Sequence, residues 1–220
     1  GSSGTLGSQY AHTLSQAGAN TILVDVNDSK NLEKELTQKY DTRIKSYHVD
    51  ISKEFEVIKL KKQIVNDYKK INGLINNAYN INAVFYCCIE FAKKIKKQKK
   101  GSIVNIASTY GMVGVDQRIY GSNKINSPVS YAAAKGAIIN LTRYLSAYWH
   151  GKNIRVNTLT PGGVEDTRYQ KASFIKNYSK KTILGRMARK DEYNGAILFL
   201  LSDASSYMTG SNLVIDGGWT

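Results

Sequence analysis

The chain opens Gly1-Ser2-Ser3-Gly4-Thr5-Leu6-Gly7, continues through Tyr10, Leu14 and Ala17 at helical spacing to Gly18, and then runs Thr21-Ile22-Leu23-Val24-Asp25-Val26. This reads as a glycine-rich turn, a helix, and a short β-rich strand that ends in an acid. In a nucleotide-binding βαβ unit the glycines let backbone N–H groups approach a pyrophosphate at the helix N-terminus, and the acid binds a ribose hydroxyl. Asp25 lies 18 residues after Gly7, close to the spacing such a unit uses. A Gly-Ser-Ser-Gly start also matches the remnant of an expression tag, but the helix that follows and the position of Asp25 favour the nucleotide reading. Such a unit normally begins with a buried central strand ahead of its glycines. The sequence is therefore expected to lack that strand, leaving its two neighbours without ladder partners and a cleft through the core.

Working outward, strands and helices alternate. Ile44–Asp50, Gly73–Ala78, Gly101–Ala107, Ile154–Leu159 and Leu213–Gly218 read as strands. Lys30–Tyr40, Lys53–Tyr68, a helix reaching about Lys97, the run from Ser130 through Leu145, and Glu192–Leu201 read as helices. Alternation of this kind predicts an α/β fold: a Rossmann-like, doubly wound parallel sheet of about seven strands with helices on both faces, in a single domain over 1–220. Almost nothing separates Asn80 from Asn82 before the next helix begins. Because a parallel crossover needs about a dozen residues or more, a segment is expected to be missing between 80 and 81.

In Ser130-Tyr131-Ala132-Ala133-Ala134-Lys135-Gly136-Ala137, Tyr131 and Lys135 are four apart and share one helix face. An ammonium beside a phenol favours the phenolate, lowering its pKa from about 10 and making a general acid/base that works near neutrality. The same spacing also suits an ordinary amphipathic helix in a chain rich in Tyr and Lys. His48 alternates with apolar neighbours and reads as a strand surface residue.

The formal charge of +14 over 220 residues is spread along the chain, and its densest run, Lys93 to Lys100, falls at a helix C-terminus, where lysine suits the helix dipole. This argues for a basic surface that gathers anionic small molecules and against a nucleic-acid partner. No run approaches the roughly 18 apolar residues of a membrane span, and no basic-then-apolar leader is seen. Cys87 and Cys88 are adjacent, a poor arrangement for a structural disulfide or, without spaced partners, for a metal. The expectation is a reduced, cytoplasmic protein with no metal site and no membrane partner.

These landmarks, together with Val49-Asp50-Ile51, Asn76-Asn77-Ala78, Ile103-Val104-Asn105-Ile106-Ala107-Ser108, Ile154-Arg155-Val156-Asn157, Pro161-Gly162-Gly163, Tyr207-Met208-Thr209-Gly210 and Asp216-Gly217-Gly218, resemble the short-chain dehydrogenase/reductase family over essentially the whole chain. Within it, the loop ending Ile119-Tyr120-Gly121 to Ser127-Pro128-Val129 and the run Leu184-Gly185-Arg186-Met187 resemble bacterial surface-sugar enzymes, including those called flagellin modification protein A. The resemblance implies a catalytic set: Ser108 on the substrate oxygen, Tyr131 passing the proton, Lys135 lowering its pKa and holding the nicotinamide ribose, and Asn82 supporting a water that leads protons to the lysine. It also implies a cofactor lining of Gly1, Ser3, Gly4, Thr5, Leu6, Gly7, Asp25, Asp50, Ile51, Asn77, Ala78, Tyr131, Lys135, Pro161 and Gly162. Asp25 would repel a 2′-phosphate, which favours NAD over NADP. The implied activity is alcohol–ketone interconversion on a sugar-derived small molecule, in a homodimer or homotetramer whose interface would suit Tyr144, Tyr148 and Trp149. An oxoacyl-carrier-protein reductase using NADPH, or a non-catalytic dinucleotide-binding regulator, stay open. Departures are Tyr79 where the family has glycine after Asn-Asn-Ala, Thr5 where glycine is usual, and 23 residues between Ser108 and Tyr131, about twice the usual interval. The extra loop is expected at the substrate mouth.

Overall fold

A computed structural model describes residues 1–121 and 126–220; Ser122 to Ile125, within the long loop ahead of Tyr131, lie outside them. The first helix, α1 (Thr5–Gln16), leads to strand β1 (Thr21–Asp25), α2 (Lys30–Lys39) and β2 (Ile44–His48). Helix α3 (Glu54–Tyr68) then leads to β3 (Gly73–Asn76), α4 (Ile81–Gln98), β4 (Gly101–Ile106) and α5 (Val129–Tyr148). The chain finishes with β5 (Ile154–Pro161), α6 (Ala172–Ser179), α7 (Asn194–Leu201) and β6 (Asn212–Ile215). Every strand pairing is parallel. The result is the Rossmann-like, doubly wound arrangement expected.

Along β4, Ile103 packs with the cluster of α3, α4 and α5, while its neighbour Val104 packs with Tyr10 of α1 and Ile197 and Leu200 of α7. Successive side chains of a strand point to opposite faces, so an apolar strand with helices on both sides is the natural product of these runs. Leu23 and Ile44, facing Ala11 and Leu36, dock α2 onto the first two strands.

Six strands form among the described residues, in two sheets: β1–β2, and β3–β4–β5–β6. No ladder joins β1 to β3. Between them lies a cavity of about 750 Å³ lined by Ile22, Leu23, Val24, Leu74, Ile75, Tyr10, Ile64 and Phe91. The first residues of the chain lie across its top. The Gly1 and Ser2 nitrogens donate to the Val24 carbonyl beside β1, and the Gly1 carbonyl accepts from the Asn77 side chain just past β3.

The crossover from β3 to β4 is α4 itself, entered through Asn77–Asn80. The Asn80 side chain caps it, accepting from the Asn82 and Ala83 N–H groups. An Asx cap of this kind satisfies two of the donors a helix start leaves open.

Trp149 is 3 % exposed and belongs to the core, whereas Tyr144 and Tyr148 lie on the surface with their rings stacked 5.8 Å apart. The expected aromatic face of three is thus a surface pair.

Beneath the C-terminal ends of the strands sits a buried polar chain. The Asn76 amide donates to the Asn105 side-chain oxygen at 2.8 Å, and the Asn105 amide donates to the Thr142 hydroxyl at 2.9 Å, which itself donates to the Ile138 carbonyl. It ties β3, β4 and α5 in one register. A buried donor stripped of its acceptor costs its full desolvation, so Thr142→Val is expected to lower the unfolding free energy by about 1–3 kcal/mol in urea titration while Thr142→Ser lowers it less.

Candidate active site

Helix α5 begins after Pro128 and carries Tyr131 and Lys135 on its inner face. The short 3₁₀ turn Thr109–Gly111, which follows β4 and Ser108, packs on that helix. A Cβ at Gly111 would sit 2.6 Å from the Lys135 carbonyl carbon, so only glycine permits the contact. This close approach brings Ser108, at the end of one strand, to the phenol of Tyr131.

Lys135 is 4 % exposed. Its ammonium donates to the Ile106 carbonyl at 2.6 Å and to the Ala78 carbonyl at 3.4 Å, and lies 5.7 Å from the centre of the Tyr131 ring. Burial pushes it down to about 8. The expectation that the ammonium lowers the Tyr131 pKa is not met. Burial raises the phenol above its ordinary value, the nearby Ser108 hydroxyl pulls the other way, and the Tyr120 phenol adds to the rise. The physical reason is that the ammonium is turned onto backbone carbonyls, while the phenol has lost water.

Ser108, Tyr131 and Lys135 share the wall of one cavity of about 720 Å³ with Asp25, Asp50, Ile51, Asn77, Ala78, Pro161 and Gly162. From the glycine turn, Gly1 and Leu6 line it. Gly4 is the N-cap of α1 and offers no side-chain cap, which leaves the first-turn N–H groups free for an anion. A Cβ at Gly7 would meet the Gly1 carbonyl oxygen at 1.9 Å, so the turn closes only around a glycine there. The Ser3 N–H and the Asn27 N–H each donate to the Asp25 carboxylate at 2.9 Å. Burial opposes the charge of Asp25, but these backbone donors hold its carboxyl below the usual range. Thr5 is turned away from the cavity, donating to the Asp166 carboxylate at 3.0 Å, and Arg168 grips the same carboxylate.

A dinucleotide fits this donor set. A bare helix start and a cleared glycine turn face one part of the cavity, an ionised acid stands at the end of β1, and a phenol, an ammonium and a hydroxyl converge at the other end. Asn82 is not brought to it. It is exposed on the first turn of α4 with its N–H on Asn80. The Ala78 and Ile106 carbonyls, which carry no sequence signal at all, are what receives Lys135. Sequence reasoning also missed Tyr110, Tyr120, Phe174 and Tyr178, which line the Tyr131 end of the cavity from three separate segments.

Residues 1–79 match the family model described as short chain dehydrogenase, and residues 78–220 match the one described as enoyl-(acyl carrier protein) reductase. The chain is 30% identical to a sorbose reductase of Candida albicans, covering 100% of this chain and 85% of the relative. It is 28% identical to the post-translational flagellin modification protein A of Campylobacter coli, covering 100% and 95%. Among solved structures, a short-chain dehydrogenase from Leptospira borgpetersenii with bound NAD+ superposes with a TM-score of 0.83 at 31% identity, covering 100% and 90%. A gluconate 5-dehydrogenase from Burkholderia cenocepacia in complex with NADP and tartrate superposes with a TM-score of 0.86 at 25% identity, covering 97% and 90%.

The perturbed lysine yields a stability prediction. With a folded-state pKa of about 8 against an ordinary 10.5, the unfolded chain holds more protons between these values, so stability rises with pH there. Urea unfolding from pH 7 to 9.5 should show wild type gaining relative to Lys135→Met over the upper part of that range. A flat difference would place the lysine pKa near its ordinary value.

Proposed function

Because the chain belongs to the short-chain dehydrogenase/reductase family, we propose that this NAD(P)-dependent oxidoreductase uses NAD to interconvert an alcohol and a ketone on a sugar or sugar-derived substrate. The observation that carries the reading is the convergence of Ser108, Tyr131 and Lys135 on one cavity whose far end holds the glycine turn and Asp25. The nicotinamide, when bound, supplies or accepts the hydride. The protein's residues handle the proton and the charge. Tyr131 passes the proton to or from the substrate oxygen. Ser108 donates a hydrogen bond to that oxygen as charge develops on it. Of the three donors on the Lys135 ammonium, the Ile106 and Ala78 carbonyls take two. The third is left for the nicotinamide ribose.

The NAD preference rests on Asp25. Both its oxygens already accept backbone donors, so the carboxylate is fixed and ionised where a 2′-phosphate would otherwise lie. The likeness to a flagellin modification protein supports a place in surface-glycan chemistry, and the likeness to a sorbose reductase supports a sugar substrate. The absence of any helix long and apolar enough to cross a membrane, among the described residues, accords with a small-molecule enzyme of the cytoplasm. The exposed Tyr144–Tyr148 stack on α5 supports assembly as a homodimer or homotetramer through that helix.

Tyr131→Phe is expected to reduce turnover by at least about a thousandfold while NADH binding, followed by nicotinamide fluorescence, is unchanged. Substantial turnover in that variant would remove Tyr131 from the role. Asp25→Ser is expected to raise the NADP-to-NAD ratio of kcat/KM by about tenfold or more, and an unchanged ratio would overturn the assignment of NAD.

A further inference from the structure

We propose that the substrate is an uncharged polyhydroxylated molecule, a neutral sugar or alditol, held in an aromatic chamber at the Tyr131 end of the cavity, with Phe174 and Tyr120 setting specificity. The proposal deepens the oxidoreductase reading and rests on it.

The chamber is built from rings contributed by distant segments. Tyr120 packs on Phe174 with ring centres 5.2 Å apart, and Phe174 on Tyr178 at 5.9 Å. Tyr178 is stacked on Trp219 at 4.2 Å, and Tyr110 meets the edge of Trp219 at 6.3 Å. On the other side Tyr79, standing where the family has glycine, lies 6.4 Å from the Tyr131 ring. The Tyr178 hydroxyl accepts from the Gly163 N–H, which anchors the wall to the end of β5.

Two features define what fits. The first is charge. Among the described residues, the charged side chains lining the cavity are Asp25, Asp50 and Lys135. Asp25 ends β1 and Asp50 follows β2, away from the chamber, and two carbonyls already hold the Lys135 ammonium. Among the described residues no free cation lines the chamber for a phosphate or a carboxylate, and an unpaired anion brought into such a site carries a heavy desolvation cost. The second is polarity without charge. Ser108, Thr109 and the tyrosine phenols supply hydroxyls to which a substrate hydroxyl can bond. Ring faces pack against C–H surfaces and phenol tips bond to hydroxyls, which is the surface a neutral sugar presents. A long acyl chain would leave those tips unpaired.

The test pairs neutral and charged compounds of matched skeleton: fructose against fructose 6-phosphate, and sorbitol against gluconate. Turnover is followed at the NADH absorbance, and binding by tryptophan emission, with Trp219→Phe identifying the share that comes from the chamber. The neutral member of each pair is expected to exceed its charged counterpart by about a hundredfold in kcat/KM and to change the Trp219 emission. Phe174→Ala is expected to raise KM for the neutral substrate about fivefold with kcat and NADH affinity unchanged, and Phe174→Tyr to restore it. Equal or better use of the charged member, or an unaltered KM in Phe174→Ala, overturns the proposal. So does silence of the neutral compounds in both assays. If NADH binding is absent as well, it is the oxidoreductase reading that has failed.

Discussion

The site depends on one buried cation and the two backbone carbonyls that receive it. Lys135 has lost nearly all its water, and the Ile106 and Ala78 oxygens stand in for it. These carbonyls belong to the end of β4 and to the turn after β3. The lysine therefore fixes helix α5 against two strands at once, at the level where Ser108 leaves the sheet. An ammonium so placed is expensive to bury, as its lowered pKa shows, and its three donors leave one free for a ligand.

The layers beneath keep this arrangement in place. The Asn76–Asn105–Thr142 chain ties the same strands to the same helix one step deeper. Sliding α5 by one turn would part the Asn105 amide from the Thr142 hydroxyl and leave that buried donor unpaired. Gly111 adds a steric condition, since nothing larger lets the turn after Ser108 rest on the helix backbone. The geometry of Ser108, Tyr131 and Lys135 is thus set by packing, a polar lock and a missing side chain, each in a different segment.

Much of this was readable in the residues, for reasons that can be named. Hydrophobic runs and their alternation with helices gave the parallel sheet, because strand and helix periods are local properties. The glycine turn and Asp25 pointed to the candidate dinucleotide site, because glycine there marks close backbone approaches that other residues forbid. The tyrosine–lysine pair was found by helical spacing, but its pKa was misjudged, because burial and carbonyl acceptors leave no trace in spacing. Asn82 stands apart from the cavity lining for a similar reason. Its place in the sequence fits the family pattern, yet in this fold it sits on the outer side of the first turn of α4. The aromatic chamber was invisible because Tyr110, Tyr120, Phe174, Tyr178 and Trp219 share no period and meet only through the fold.

The lining of the cavity is drawn from several strand ends, and this decides how occupancy is felt. Asp25 ends β1, Asp50 follows β2, Ser108 follows β4 and Pro161 ends β5. A ligand held along the cavity would bridge all four, and its binding free energy would add to the stability of the fold. Melting of the protein then becomes a gauge of how full the site is.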